Sequence, residues 1–264
     1  MVPCKGNRFE GRFQGMVALI VQGALLLNGS ILDTGAFTGE EACYYADLDR
    51  SRKVHALEPI YANFKTIQRY VPGRPNLVPM HGALGSASKS FLLKSAKVGH
   101  SSRSHTSMLQ DTQLQAGVED VKANRTEKDE FKSTIHVHRL DDLFEHMWHE
   151  EKLAFAHIDV EGAELDVLHG AESTIQRDRP LFSVEVWVHK NHTYTRSLID
   201  TVGAYGYRPY AIAEKCGLNL DCRNLLCVPT ERHSAFVAHL TSHDMMQWLS
   251  ASTAESLIKT VPAG

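Results

Sequence analysis

A short apolar strand that runs through a glycine turn into a helix constrains this chain most. Ser30-Ile31-Leu32-Asp33 follows the turn Asn28-Gly29. Thr34-Gly35-Ala36-Phe37-Thr38-Gly39 then leads into a helix-like stretch from Gly39 to Asp49. Such a turn aims backbone N–H groups at a ligand beyond the end of a parallel strand. The alternation continues. Strand-like runs occupy Lys53–Glu58, Asn76–His81, Leu153–Asp159 and Pro180–Val186. Helix-like runs occupy Ala62–Tyr70, Ala163–Ala171 and Tyr194–Ala204. Arg208–Ala213 and Leu225–Val228 read as a closing hairpin. The pattern predicts an α/β fold, a mostly parallel sheet flanked by helices with a final antiparallel hairpin.

Ser90–Leu93 and Thr134–His138 read as added strands. Between them, residues 94–133 are polar and rich in Ser, Lys, Thr and Gln. A stretch that long suits a mobile insertion, here with a short helix near Met108–Leu114. The chain of 264 residues, 43% of them apolar, can bury one sizeable core. We expect an N-terminal helical segment over 1–27, the main domain over 28–230 and an appended helix in 231–264. Met16–Leu27 is too short an apolar run to span a bilayer, which takes ~20 residues. Signal-peptide cleavage after it would cut close to the first strand. A buried helix in a soluble cytoplasmic protein is the expectation, with no membrane partner.

A net charge of −3 supplies no basic field for nucleic acid. Five cysteines are an odd, sparse set that argues against a disulfide scaffold. Cys216, Cys222 and Cys227 cluster but lack zinc-site spacing, so they read as reduced thiols near a turn. Asn28, Asn124 and Asn191 head glycosylation-type triplets, which are frequent by chance.

The turn could cradle several nucleotide-like cofactors, and Asp33 discriminates among them. A carboxylate at that strand end repels a pyrophosphate but attracts the ammonium and sulfonium of S-adenosylmethionine. Gly35 and Gly39 also miss the dinucleotide spacing. Glu58 ends the second strand, 23 residues past Gly35, where an acidic residue accepts a ribose diol.

The segment His157-Ile158-Asp159-Val160-Glu161-Gly162-Ala163-Glu164, with Leu168 and Gly170-Ala171 after it, resembles the I-D-x-E-G-x-E core of the FkbM-type methyltransferase family. Asp33-Thr34-Gly35-Ala36 resembles that family's D-x-G-A turn, with Thr34 where Val is commoner. Glu58-Pro59 with Asn63, Ala83-Leu84-Gly85, Leu140-Asp141-Asp142-Leu143 and Glu185 follow in the same order. The resemblance covers about residues 28–230. It implies a Rossmann-like class I methyltransferase fold with a seven-stranded sheet. It also implies S-adenosylmethionine at the carboxyl ends of the first strands and methylation of hydroxyl oxygens on sugars or secondary metabolites.

The expected cofactor residues are therefore Asp33, Gly35, Ala36, Phe37, Gly39, Glu58, Pro59, Asn63, His81, Ala83 and Asp159. Methyl transfer needs an aligned acceptor and, for a hydroxyl, a base. Asp159, Glu161 and Glu185 are the candidate catalytic acids, with helix capping as the bland role of Asp159 and Glu161. His189 is the best histidine base. Three converging acids also suit a hard cation such as Mg²⁺, a reading ranked below metal-free catalysis. The acceptor is expected to be a small-molecule hydroxyl. A non-catalytic binding module and a nicotinamide-dependent oxidoreductase are the competing readings. Oligomeric state is not legible.

Overall fold

The computed structural model describes residues 11–22, 25–92, 134–187, 192–213 and 222–251. The N-terminal helix α1 (Gly11–Gln22) precedes β1 (Ser30–Thr34), α2 (Glu40–Leu48), β2 (Val54–Glu58), α3 (Tyr61–Gln68) and β3 (Leu77–His81). Two-residue β4 (Ala83–Leu84), β5 (Lys89–Leu92) and β6 (Thr134–His138) form a small separate sheet in the order β4-β6-β5. Next come α4 (Leu140–His146), β7 (Leu153–Ile158), α5 (Glu164–Gly170), α6 (Glu172–Asp178), β8 (Leu181–Trp187) and α7 (His192–Ala204). The chain finishes with β9 (Tyr207–Ile212), β10 (Cys222–Pro229), α8 (His233–Ser242) and β11 (Leu249–Ala251).

The main sheet runs β11-β9-β10-β8-β7-β1-β2-β3. Its centre, from β8 through β7, β1 and β2 to β3, is parallel, and β10 is antiparallel to β8 and β9. Seven strands follow the expected plan, and three-residue β11 adds an eighth at the β9 edge. The chain winds from β1 outward to β3, then returns to lay β7 on the other side of β1. That reversal opens a crevice at the carboxyl ends of β1 and β7, the place where ligands bind in open α/β sheets.

Residues of β1, β2 and β7 are buried on both faces, as expected for parallel strands covered by helices. Ile31 faces the helices α1, α2 and α8; Leu32, one residue on, faces the layer of α4 to α7. Phe13, Met16, Val17, Ile20 and Val21 recur at helical spacing and bury α1 against the first face. No helix among the described residues is long and apolar enough to cross a membrane. The anticipated helix near 108–114 lies outside the described residues. Cys227 is buried and free. Cys43 is disulfide-bonded.

Candidate functional site

The glycine turn folds against two strand ends at once. The N–H groups of Gly35 and Ala36 both donate to the Leu57 carbonyl of β2, at 3.1 and 3.0 Å. The N–H of Asp159, just past β7, donates to the Thr34 carbonyl at 3.1 Å. Gly35 has φ +79°, and a Cβ there would lie 1.7 Å from the Asp159 carbonyl oxygen. Only glycine satisfies both the left-handed backbone and that approach. Phe37 is also left-handed, at φ 48°, an uncommon state for a bulky residue, and its side chain is 39% exposed.

Glu58 closes the turn from beneath. Its Oε2 accepts the Phe37 N–H at 2.8 Å, and its Oε1 accepts the Ile60 N–H at 2.8 Å and Asn63 Nδ2 at 3.3 Å. Burial drives its pKa up to about 7 against these three donors, and the charge of Asp33 adds to the rise. From the sequence Glu58 is expected at a ribose; the structure shows it building the turn. A carboxylate offers about four lone-pair sites, and three are taken. A diol needs two, so the long Asn63 bond is the one that would yield.

Asp33 is buried, and its Oδ1 lies 3.1 Å from His157 Nδ1. The two residues are direct register partners across the parallel β1–β7 pair. Burial alone would push the imidazole toward neutrality. The hydrogen bond and charge of Asp33, reinforced by Asp159 and Glu41, prevail and raise its pKa to about 9. Asp33 Oδ2 is buried with no hydrogen-bond partner among the described residues. The carboxylate thus keeps one acceptor atom for a cation or water.

The other acids divide by role. Glu185 is hydrogen-bonded to Asp159, and its pKa stands well above the carboxylate range through burial and then the charges of Asp159, Glu161 and Glu164. Burial and the surrounding acids therefore favour a proton on Glu185. Glu161 sits at φ 55° in the same loop, before Gly162 at φ 105°. Glu164 is fully buried; it accepts the Gly162 N–H at 2.9 Å and the Tyr194 hydroxyl at 2.7 Å. Tyr194 in turn accepts the Leu165 N–H at 3.0 Å. Glu164 and Tyr194 brace the loop that presents Asp159 and Glu161.

On the far side of the turn, His81 Nε2 meets the Pro59 carbonyl at 3.0 Å. The His81 ring lies 5.4 Å from both Tyr61 and Phe64. Ala83 follows on β4 and is buried. The structure thus gathers Asp33, Glu58, Asp159, Glu161 and Glu185 around the ends of β1, β2, β7 and β8, with His81 at the β3 end. Among the described residues no group of three His, Cys, Asp or Glu side chains is arranged to hold a metal ion. His189 lies outside the described residues. The His157–Asp33 pairing and the Tyr194 brace were missed by sequence reasoning. Alternation along a strand shows which residues share its face, but the pairing register that sets His157 opposite Asp33 leaves no local signal.

This topology, with an acid-lined glycine turn at the switch point, defines a Rossmann-like class I methyltransferase fold. The model of the methyltransferase FkbM domain matches residues 33–209, and the chain belongs to the FkbM-type family of S-adenosylmethionine-dependent methyltransferases. A methyltransferase FkbM from Methylobacillus flagellatus KT is 16% identical over 80% of this chain, with a TM-score of 0.48. This chain spans about half of that protein, 47% of its length. Aeropyrum pernix fibrillarin, solved with natively bound S-adenosyl-L-methionine, is 13% identical. That match covers 86% of this chain and 84% of the fibrillarin, with a TM-score of 0.48. No curated protein matches the chain.

Proposed function

We propose that this chain binds S-adenosylmethionine across the carboxyl ends of β1, β2 and β7 and methylates a hydroxyl oxygen of a small molecule. The observation that carries this reading is the buried Asp33 Oδ2 beside the Gly35 turn. An uncompensated acceptor in that place suits a cationic amino-acid moiety and disfavours a pyrophosphate. Glu58 suits the ribose diol, and the aromatic edge of Tyr61, Phe64 and His81 suits a planar base. The cofactor would supply an electrophilic methyl group.

The chain's own residues would align the acceptor and take its proton. Glu185, whose pKa burial raises, is hydrogen-bonded to Asp159. Asp159 would take the hydroxyl proton, with Glu185 hydrogen-bonded behind it. Glu161, displayed in the same loop, would orient the acceptor. No metal ion enters this reading.

Calorimetric titration with S-adenosylhomocysteine, with NADH as the control, tests the cofactor. Transfer of labelled methyl to a panel of sugar and polyketide alcohols tests the reaction. Binding of S-adenosylhomocysteine without transfer to any of them would turn the reading toward a binding module. Binding of NADH alone would overturn it.

A further inference from the structure

The imidazole of His157 joins two strand ends directly beneath the cradle. It is buried, bonded through Nδ1 to Asp33 Oδ1 at 3.1 Å, and it meets Phe13 of α1 with ring centroids 4.9 Å apart. Tyr45 of α2 stands edge-on to it at 6.3 Å. Ser183 of β8 is its register partner on the other side. The charged and titratable groups around it are Asp33 from β1, Asp159 at the end of its own strand, and Glu41 and Tyr45 from α2. No second cation accompanies it in that set. The bond to Oδ1 also decides which Asp33 oxygen remains open, since Oδ2 has no hydrogen-bond partner among the described residues.

We propose that His157 is a positioning residue for the cofactor: its hydrogen bond to Oδ1 holds the Asp33 carboxylate in one orientation, with Oδ2 as the acceptor for the cofactor's ammonium. The inference rests on the S-adenosylmethionine reading above. Two physical consequences follow. A neutral side chain at 157 replaces a charge-assisted hydrogen bond with a weaker one, so the Asp33 carboxylate is held less firmly in the orientation that presents Oδ2. A longer cation at 157 keeps the charge to higher pH, because a lysine ammonium titrates above an imidazolium.

The experiment is S-adenosylhomocysteine titration of wild type, His157→Gln and His157→Lys from pH 6.5 to 10, with thermal melts of each ligand-free protein. Glutamine retains a hydrogen-bond donor without a charge. The ligand's own ammonium titrates identically in all three, so differences between the proteins isolate residue 157. At pH 7.5 the Gln variant is expected to bind roughly tenfold or more weakly, the loss typical of a charge-assisted hydrogen bond. The Lys variant should recover most of that affinity and keep it above pH 9, where wild type loses it. A folded Gln variant with wild-type affinity overturns the proposal, as do wild-type and Lys profiles that coincide through pH 9. Should the Gln variant fail to fold, the comparison of Lys with wild type decides alone. Absence of binding by wild type at pH 7.5 overturns the cofactor reading and this proposal together.

Discussion

His157 Nδ1 lies 3.1 Å from Asp33 Oδ1, a buried ion pair that fastens β7 to β1 at the point where the chain reverses direction across the sheet. The imidazole titrates at about 9 in the fold, above its ordinary 6.5. A cation whose folded pKa is raised stabilises fully below the unfolded pKa and loses that contribution as pH rises through the folded value. The His157 contribution to melting of the ligand-free protein should therefore fall as pH rises from 6.5 to about 9 and level off above it. His157→Leu leaves a buried carboxylate uncompensated and should cost about 3–5 kcal/mol at pH 7. Denaturant unfolding checks it, and a wild-type midpoint in the Leu variant would refute the pair's role.

Glu41 titrates with the opposite consequence for design. It is buried on α2, and burial, then the charge of Asp33, lift its pKa to about 7 while His157 works against them. Stability tied to its proton is fully present below 4.5 and is lost as pH rises through 7. Glu41→Gln should leave melting unchanged near pH 4.5 and raise it at pH 8. The scale is roughly 2–4 °C for each kcal/mol recovered. A lower melting temperature at pH 8 would show that the carboxylate makes a needed contact.

Gly35→Ala and Gly170→Ala test close backbone approaches. A Cβ at Gly35 would meet the Asp159 carbonyl oxygen at 1.7 Å, and one at Gly170 would meet the Gly85 carbonyl oxygen at 2.0 Å. Helix propensity alone would favour alanine at Gly170 by about 1 kcal/mol. The clash involves backbone on both sides and should win, so both variants should lose about 2 kcal/mol or more. Gly35→Ala should also abolish S-adenosylhomocysteine binding. Stabilisation by Gly170→Ala in urea unfolding would mean that α5 can move off β4 at little cost.

Glu58→Gln separates turn building from ligand binding. The amide oxygen can still accept one backbone N–H, from Phe37 or Ile60, but the NH₂ group cannot accept the other. We expect loss of S-adenosylhomocysteine affinity by roughly tenfold or more, with a stability change of about 1–2 kcal/mol. Calorimetry and melting on one preparation separate the two effects. Unchanged affinity would remove Glu58 from the ribose site and leave it a turn residue alone.

Most of the strands and helices of the main domain were legible because their causes are local. The turn at Gly35–Gly39, the stops at Pro59 and Pro72-Gly73, and the apolar runs of the parallel strands each act over a few residues. Short β11 was not legible, because three residues carry no period and pair only where β9 already offers an edge. Helix α6, which follows α5 with Ala171 between them, was read neither as a helix nor as a break. The candidate acids were found because carboxylates at strand ends stand out in sequence. Their division of labour was not: Glu185 holding a proton against Asp159, Glu164 tied to Gly162 and Tyr194, and Glu58 bent back onto the turn all depend on neighbours far along the chain.

By itself, then, the sequence determined the alternation of elements, the glycine turn and the residue types gathered at the sheet's carboxyl edge. Backbone preference and hydrophobic period act over short spans and need no partner. Only the tertiary structure decided that Asp33 spends one oxygen on His157. A register between strands 124 residues apart is set by the packing of the whole sheet, and the Asp33 carboxylate it brings up holds the imidazole charged against the pull of burial.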